Sequence, residues 1–253
     1  MSKGRRSFRK KSQTPTIGRV FTLSSNKCTL HILGEDHILG PKDPLPHVHK
    51  LLVEFDVFYR DKPLPPFGQT PTTQEILKKI DSSFFRSCIQ PDRLPEMAIC
   101  CDVREACHVL KDPGLERALQ TVVAQKPSTL KEYLQYRTLQ LFDPPRAVQQ
   151  RFTKLIQTLS LQQQHTFHKL FQAYKKETSS LANFELRSYS HYPNVKSESD
   201  IVWALYSIAP QKLTDFFFVL NILSCRNTPI IGVLCGFDHV ASLQLLLAPF
   251  GFV

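Results

Sequence analysis

The chain has 253 residues, 42% of them hydrophobic and 21% charged, with a formal net charge of +10. That apolar content excludes a wholly disordered chain, and the length suffices for one sizeable α/β domain or for a sheet domain carrying a helical insertion. Six of the basic residues, Lys3, Arg5, Arg6, Arg9, Lys10 and Lys11, fall within the first eleven positions, so the excess charge is concentrated in a tail, for which like-charge repulsion predicts an unfolded arm.

The tail suits nucleic acid or an anionic surface, an address label, or simply a solvated arm. No apolar stretch with small-residue cleavage signals follows it, which points to a chain kept inside the cell, cytoplasmic or nuclear. The seven cysteines, an odd number, include the adjacent Cys100 and Cys101 on an apolar run, and read as reduced thiols and not as a disulfide framework. Trp203 to Cys225 is interrupted by Pro210, Lys212 and Asp215, and Pro229 to Val253 by Asp238 and His239. Both runs therefore read as core and not as transmembrane spans.

In chain order, Arg19 to Leu23 and Cys28 to Leu33 read as short strands with Ser24, Ser25 and Asn26 as the turn between them. A proline-rich loop carrying His47 and His49 leads to Leu51 to Phe58, an apolar strand bearing Glu54 and Asp56. Prolines at 63, 65, 66 and 71 enforce a loop; a helix then starts at a Thr72/Thr73 cap with Glu75 behind it. Glu96 to Asp102 is a further strand, ending in Asp102-Val103-Arg104. Amphipathic segments around Leu115 to Val123, Thr129 to Phe142 and Ala147 to Tyr174 predict helices, as do Ser197 to Ala209 and the very apolar Gln211 to Leu223. Pro229 to Leu234 predicts a strand, Cys235 to His239 a turn, then a helix through Leu247, with Phe250 to Val253 as a last short strand.

The sharpest motif is repeated: HILGEDH and GVLCGFDH each join an apolar strand to Gly, one variable residue, Asp and His. In open α/β sheets ligands gather at the carboxyl ends of strands, where a glycine lets the backbone bend. Neutral imidazole there binds divalent metal and shuttles protons. If His37 and His239 sit on neighbouring strand ends, Glu35, Asp36, Glu54 and Asp238 are placed to supply oxygen ligands or to orient the rings. The bland alternative is a turn whose Asp bonds backbone amides and caps the following helix.

This pattern resembles the Tiki, TraB, ChaN and erythromycin-esterase-like superfamily, in which an early strand ends in Gly-x-x-His, a second strand bears a Glu, and a late strand ends in another Gly-x-x-His. The matching residues are Gly34 and His37, Glu54 with Arg60 after it, and Gly236 and His239. GEDH is also similar to the Gly-Glu-x-x-His of the erythromycin-esterase branch, one residue shorter, and the Asp102-x-Arg104 strand end is similar to one in relatives from large DNA viruses. The resemblance covers only the two ends of the chain and a short stretch between. It implies a metal- or histidine-dependent hydrolase, or a catalytically degenerate relative, acting on a small molecule or peptide. His37 and His239 would hold a divalent metal ion or activate water, with Glu54, Asp36 and Asp238 as further ligands and Glu54 as acid/base partner. Asp102, Arg60 and Arg104 would bind substrate, the arginines meeting an anionic group or an oxyanion.

Other histidines are weaker candidates. His47-x-His49 has spacing compatible with metal binding from an extended segment, and His165 and His168 share a helix face among glutamines. No zinc-finger cysteine spacing or phosphate-binding glycine loop is present. The expectation is an α/β protein with a mainly parallel sheet built from both ends of the chain and a large helical insertion or layer in the middle. Its parts are a basic tail (1–17), an N-terminal core portion (18–104), the insertion (105–225) and a C-terminal core portion (226–253). A second reading, from another class, is a structural or nucleic-acid-associated protein that binds through Lys3, Arg5, Arg6, Arg9, Lys10 and Lys11.

Overall fold

The computed structural model of the chain describes residues 15–16, 18–35, 43–54, 70–75, 90–103, 146–173 and 213–253. Among them five strands form one sheet: β1 (Val20–Ser24), β2 (Thr29–Glu35), β3 (Lys50–Val53), β4 (Ala98–Cys100) and β5 (Ile230–Gly236). Their order is β1-β2-β5-β3-β4. β1 pairs antiparallel with β2 at the edge, whereas β2, β5, β3 and β4 run parallel. The β1–β2 hairpin closes where the sequence predicts: the Ser25 N–H donates to the Cys28 carbonyl at 2.9 Å, and the Cys28 N–H donates to Ser25 Oγ at 3.2 Å.

Side-chain alternation assigns the two faces. On one, Leu30, Ile32, Leu52, Ile231, Val233 and Cys235 join the main core; on the other, Leu33, Leu51, Val53, Ala98, Cys100 and Leu234 pack with Leu45 and Val48. The central parallel strands are apolar on both faces, as a sheet covered on both sides requires. Helices α1 (Arg146–Gln157), α2 (161–173), α3 (213–224) and α4 (Phe237–Leu247) contribute to the main core.

The Phe216-Phe217-Phe218 run belongs wholly to that core. Phe216 meets Phe167 and Phe171 edge-on, and Phe217 stacks on Phe152 with centroids 5.7 Å apart. Such aromatic pairs add about 0.5–1.5 kcal/mol each beyond their burial. The expected cap at Thr72 is a capping box: its N–H and hydroxyl reach Glu75 Oε2 at 2.8 and 2.9 Å, and the Glu75 N–H returns to Thr72 Oγ1 at 3.2 Å.

Three local expectations are corrected. The amphipathic stretch from Ala147 is two helices, broken at 158–160, where Ser160 and Gln163 form a second capping box by exchanging backbone-to-side-chain bonds of 3.2 and 3.4 Å. The chain end is a 3-10 turn, Ala248–Phe250, and not a strand; only Val253 pairs with Ser24, through bonds of 2.9 and 3.0 Å. Gly236-Phe237-Asp238-His239 is the direct junction of β5 and α4, with Gly236 as N-cap and no side-chain cap bond, so His239 rides on the first turn of a helix. No helix among the described residues is long and apolar enough to cross a membrane.

Candidate functional site

The parallel strands deliver their carboxyl ends to one edge of the sheet. β2 and β5 are neighbours there, with Gly34 opposite Cys235 and Glu35 opposite Gly236. The two Gly-x-Asp-His corners thus start from adjacent strand ends. Gly34 lies on the main-core face, two residues beyond Ile32, and α4 packs directly over it. A Cβ at position 34 would fall 2.5 Å from Val240 Cγ2 and 2.9 Å from the Phe237 Cα, so only glycine lets the helix approach this closely. Gly236 has room by comparison: a Cβ there would meet His239 Cδ2 at 3.6 Å and Glu54 Oε2 at 3.8 Å.

Glu54 follows β3 and extends its pairing by one residue, its N–H donating to the Leu234 carbonyl at 2.9 Å. Two positions after Leu52, its side chain shares the main-core face. There one carboxylate oxygen, Oε2, accepts the Gly236 N–H at 3.1 Å, and the group lies against Nε2 of His239 at 2.9 Å (Oε2) and 3.0 Å (Oε1). On the opposite side of the ring, Nδ1 meets Asp215 Oδ1 at 2.5 Å. Asp215 comes from α3, so one imidazole ties a strand end and two helices together. The Phe218 ring stands edge-on to it, centroids 6.2 Å apart.

All three side chains are buried: His239 is 4% exposed, Glu54 5% and Asp215 1%. Burial alone disfavours the charged ring, but the adjoining carboxylates of Glu54 and Asp215, by charge and hydrogen bond, outweigh it and hold the His239 pKa well above its ordinary value. Both ring nitrogens face carboxylate oxygens, an arrangement that favours the doubly protonated ring, donating from Nδ1 and Nε2. The same carboxylates, added to complete burial, push the Cys235 thiol well up, which keeps it protonated and unreactive. Burial likewise raises Cys101. The described cysteines 28, 100, 101, 225 and 235 are all free thiols.

Of the residues singled out in the sequence, Glu54 and His239 come together. Asp102 lies just past β4, buried at 3% exposure; the neighbouring Val103 N–H donates to Thr214 Oγ1 at 3.4 Å, one residue from Asp215. Asp36, His37, Arg60, Arg104 and the basic residues Lys3, Arg5, Arg6, Arg9, Lys10 and Lys11 lie outside the described residues, as do the side chains of Glu35 and Asp238. His165 and His168 are exposed on α2, the solvated placement that their glutamine-rich surroundings suggest.

Sequence reasoning missed Asp215 as a site residue. The available signal was a carboxylate inside an otherwise apolar helix, since a fully buried charge is retained only with a partner. Among the described residues no group of three or more His, Cys, Asp or Glu side chains is arranged to hold a metal ion. Glu54 and Nε2 of His239 supply two convergent donors, one fewer than the three protein ligands of a typical catalytic zinc.

No family model, no curated protein and no solved structure matches the chain.

Proposed function

We propose that the chain is a metal- or histidine-dependent hydrolase of the Tiki/TraB/ChaN/erythromycin-esterase-like kind. Its sheet is assembled from both ends of the chain around a helical insertion, and it acts inside the cell on a small-molecule or peptide substrate. One observation carries this reading: the Glu54 carboxylate lies 2.9–3.0 Å from Nε2 of His239 at the carboxyl ends of parallel strands, while Asp215 holds Nδ1. A base, an acid and a group that orients the acid are what proton transfer during hydrolysis requires.

In this reading the ring's position between two carboxylates sets the roles: His239 gives its Nε2 proton to a leaving group, Glu54 takes the proton of the attacking water, and Asp215 fixes the ring. His37, Asp36 and Asp238 complete the site in this reading, and Asp102, Arg60 and Arg104 meet the substrate. A divalent ion held by Nε2 of His239 and the Glu54 carboxylate would have to displace the Nε2 proton, with Asp215 orienting the ring from behind. The chemistry such an ion supplies is a water acidified toward neutrality.

The test is hydrolysis of a panel of esters, lactones and peptides by the full chain, with and without a chelator. Glu54→Gln and His239→Gln should each lower turnover by about 10²–10⁴-fold, and Asp215→Asn should shift the pH profile as well as the rate. Turnover unchanged in both Glu54→Gln and His239→Gln refutes the assignment. The second reading, nucleic-acid association, rests on the six basic residues at positions 3–11. It predicts salt-sensitive binding that vanishes when residues 1–11 are deleted and is indifferent to His239.

A further inference from the structure

A second imidazole pair lies at the other end of β3. His47 and His49 are in the extended segment that leads into the strand, and residues two apart on extended backbone project to the same side. Both are exposed, whereas the intervening Val48 points inward and is 1% exposed. Val48 is wedged against Gly232, where a Cβ would lie only 3.0 Å from its Cγ1.

The backbone under the pair is fixed. The Val48 N–H donates to the Arg93 carbonyl at 3.0 Å, and the His49 N–H donates to the Ile230 carbonyl at 3.0 Å. The segment that carries the two rings is therefore tied to the chain beside it at Val48 and His49. Their centroids are 5.2 Å apart, and the planes are inclined at 81°.

That separation, an edge-to-face contact in the bare protein, is also compatible with a shared metal ion. A ring nitrogen about 2.0–2.1 Å from zinc puts the ring centroid about 3.2 Å from it, and two such rings at the tetrahedral angle have centroids about 5.2 Å apart. We propose that His47 and His49 form a bidentate site for a borderline divalent transition metal such as zinc, nickel or copper, with the remaining coordination positions open to water or an external ligand. Imidazole donors favour these ions over magnesium or calcium, which demand oxygen. Five residues of extended chain, about 16 Å, separate His49 from Glu54, so this site is independent of the His239 constellation.

The probe is the bare metal ion, Ni²⁺ or Zn²⁺, titrated at pH 7.5 into the full chain carrying no affinity tag. Calorimetry should give one equivalent bound at this site. His47→Gln or His49→Gln should weaken it at least about tenfold, and the double variant should abolish it. Both positions are exposed, so the variants should keep the native near-ultraviolet circular dichroism. In the unmodified protein, substoichiometric Ni²⁺ should broaden the ring resonances of His47 and His49 before those of His31, His165 and His168. Equal affinity in the double variant, or broadening that spares His47 and His49, overturns the proposal.

Discussion

Replacing His239 by glutamine tests the energetics of the buried constellation. The native ring lies between two carboxylates, 2.5 Å from Asp215 and 2.9 Å from Glu54, and all three side chains are at most 5% exposed. Glutamine offers one donor amide and one carbonyl, so it satisfies one carboxylate and sets an oxygen against the other. Removing one member of a buried ionic set costs about 3–5 kcal/mol, because the two carboxylates stay buried after the cation facing them is gone. For a chain of this size each kcal/mol lowers Tm by about 2–4 °C, giving an expected fall of about 6–20 °C. Urea unfolding at pH 7, followed by circular dichroism, measures the loss directly. The triple variant Glu54→Gln, Asp215→Asn, His239→Gln removes these three charges together and should recover most of it. A loss below about 1 kcal/mol in the single variant, or a triple variant no better than the single, would refute the reasoning.

The same ring fixes a pH dependence. Its folded pKa lies above the unfolded value near 6.5, so its stabilisation is fully present below that pH and is lost as pH rises through the folded value. Urea midpoints from pH 6 to 10 should show this alkaline decline in the native protein and a flatter limb in His239→Gln. At the two glycine corners, alanine should act very differently. Gly34→Ala drives a Cβ into Val240 and the backbone of Phe237 and should cost about 1–3 kcal/mol, whereas Gly236→Ala meets nothing closer than 3.6 Å and should stay within about 1 kcal/mol. Thermal melts of the two variants, side by side, measure the contrast.

The sheet was legible because each strand advertises itself locally. CTLHIL and PIIGVL are apolar runs bounded by turn residues, with a glycine at position 34 directly after the first and at 236 two residues after the second, and there the strand ends prove to be neighbours. The Thr72–Glu75 box was legible for the same reason, since a capping box is a four-residue event. The Ser160–Gln163 box has the same spacing and was hidden by the continuous amphipathic pattern running across it. Phe250–Val253 looked like a strand because its residues are apolar and aromatic, yet Pro249 and Gly251, the latter at φ 86°, bend the backbone out of extension.

Within the site, Glu54 stood out as an acid in an apolar strand and His239 as part of a repeated motif. Asp215 did not, because its meaning is tertiary. Nothing in the order Leu213-Thr214-Asp215-Phe216 says that the carboxylate meets a histidine 24 positions later. The protonation of His239 is equally non-local: it depends on two carboxylates brought in from β3 and α3 to a ring whose own neighbours are Asp238 and Val240.

The state of that ring decides the account. Nitrogen-15 spectra of histidine-labelled protein, assigned with His239→Gln, distinguish a doubly protonated ring from either neutral tautomer. The expected result is imidazolium signals from both nitrogens of His239, persisting from pH 6 to well above neutrality. A His239 that loses its proton near pH 6.5, the ordinary value for an imidazole, would contradict the account.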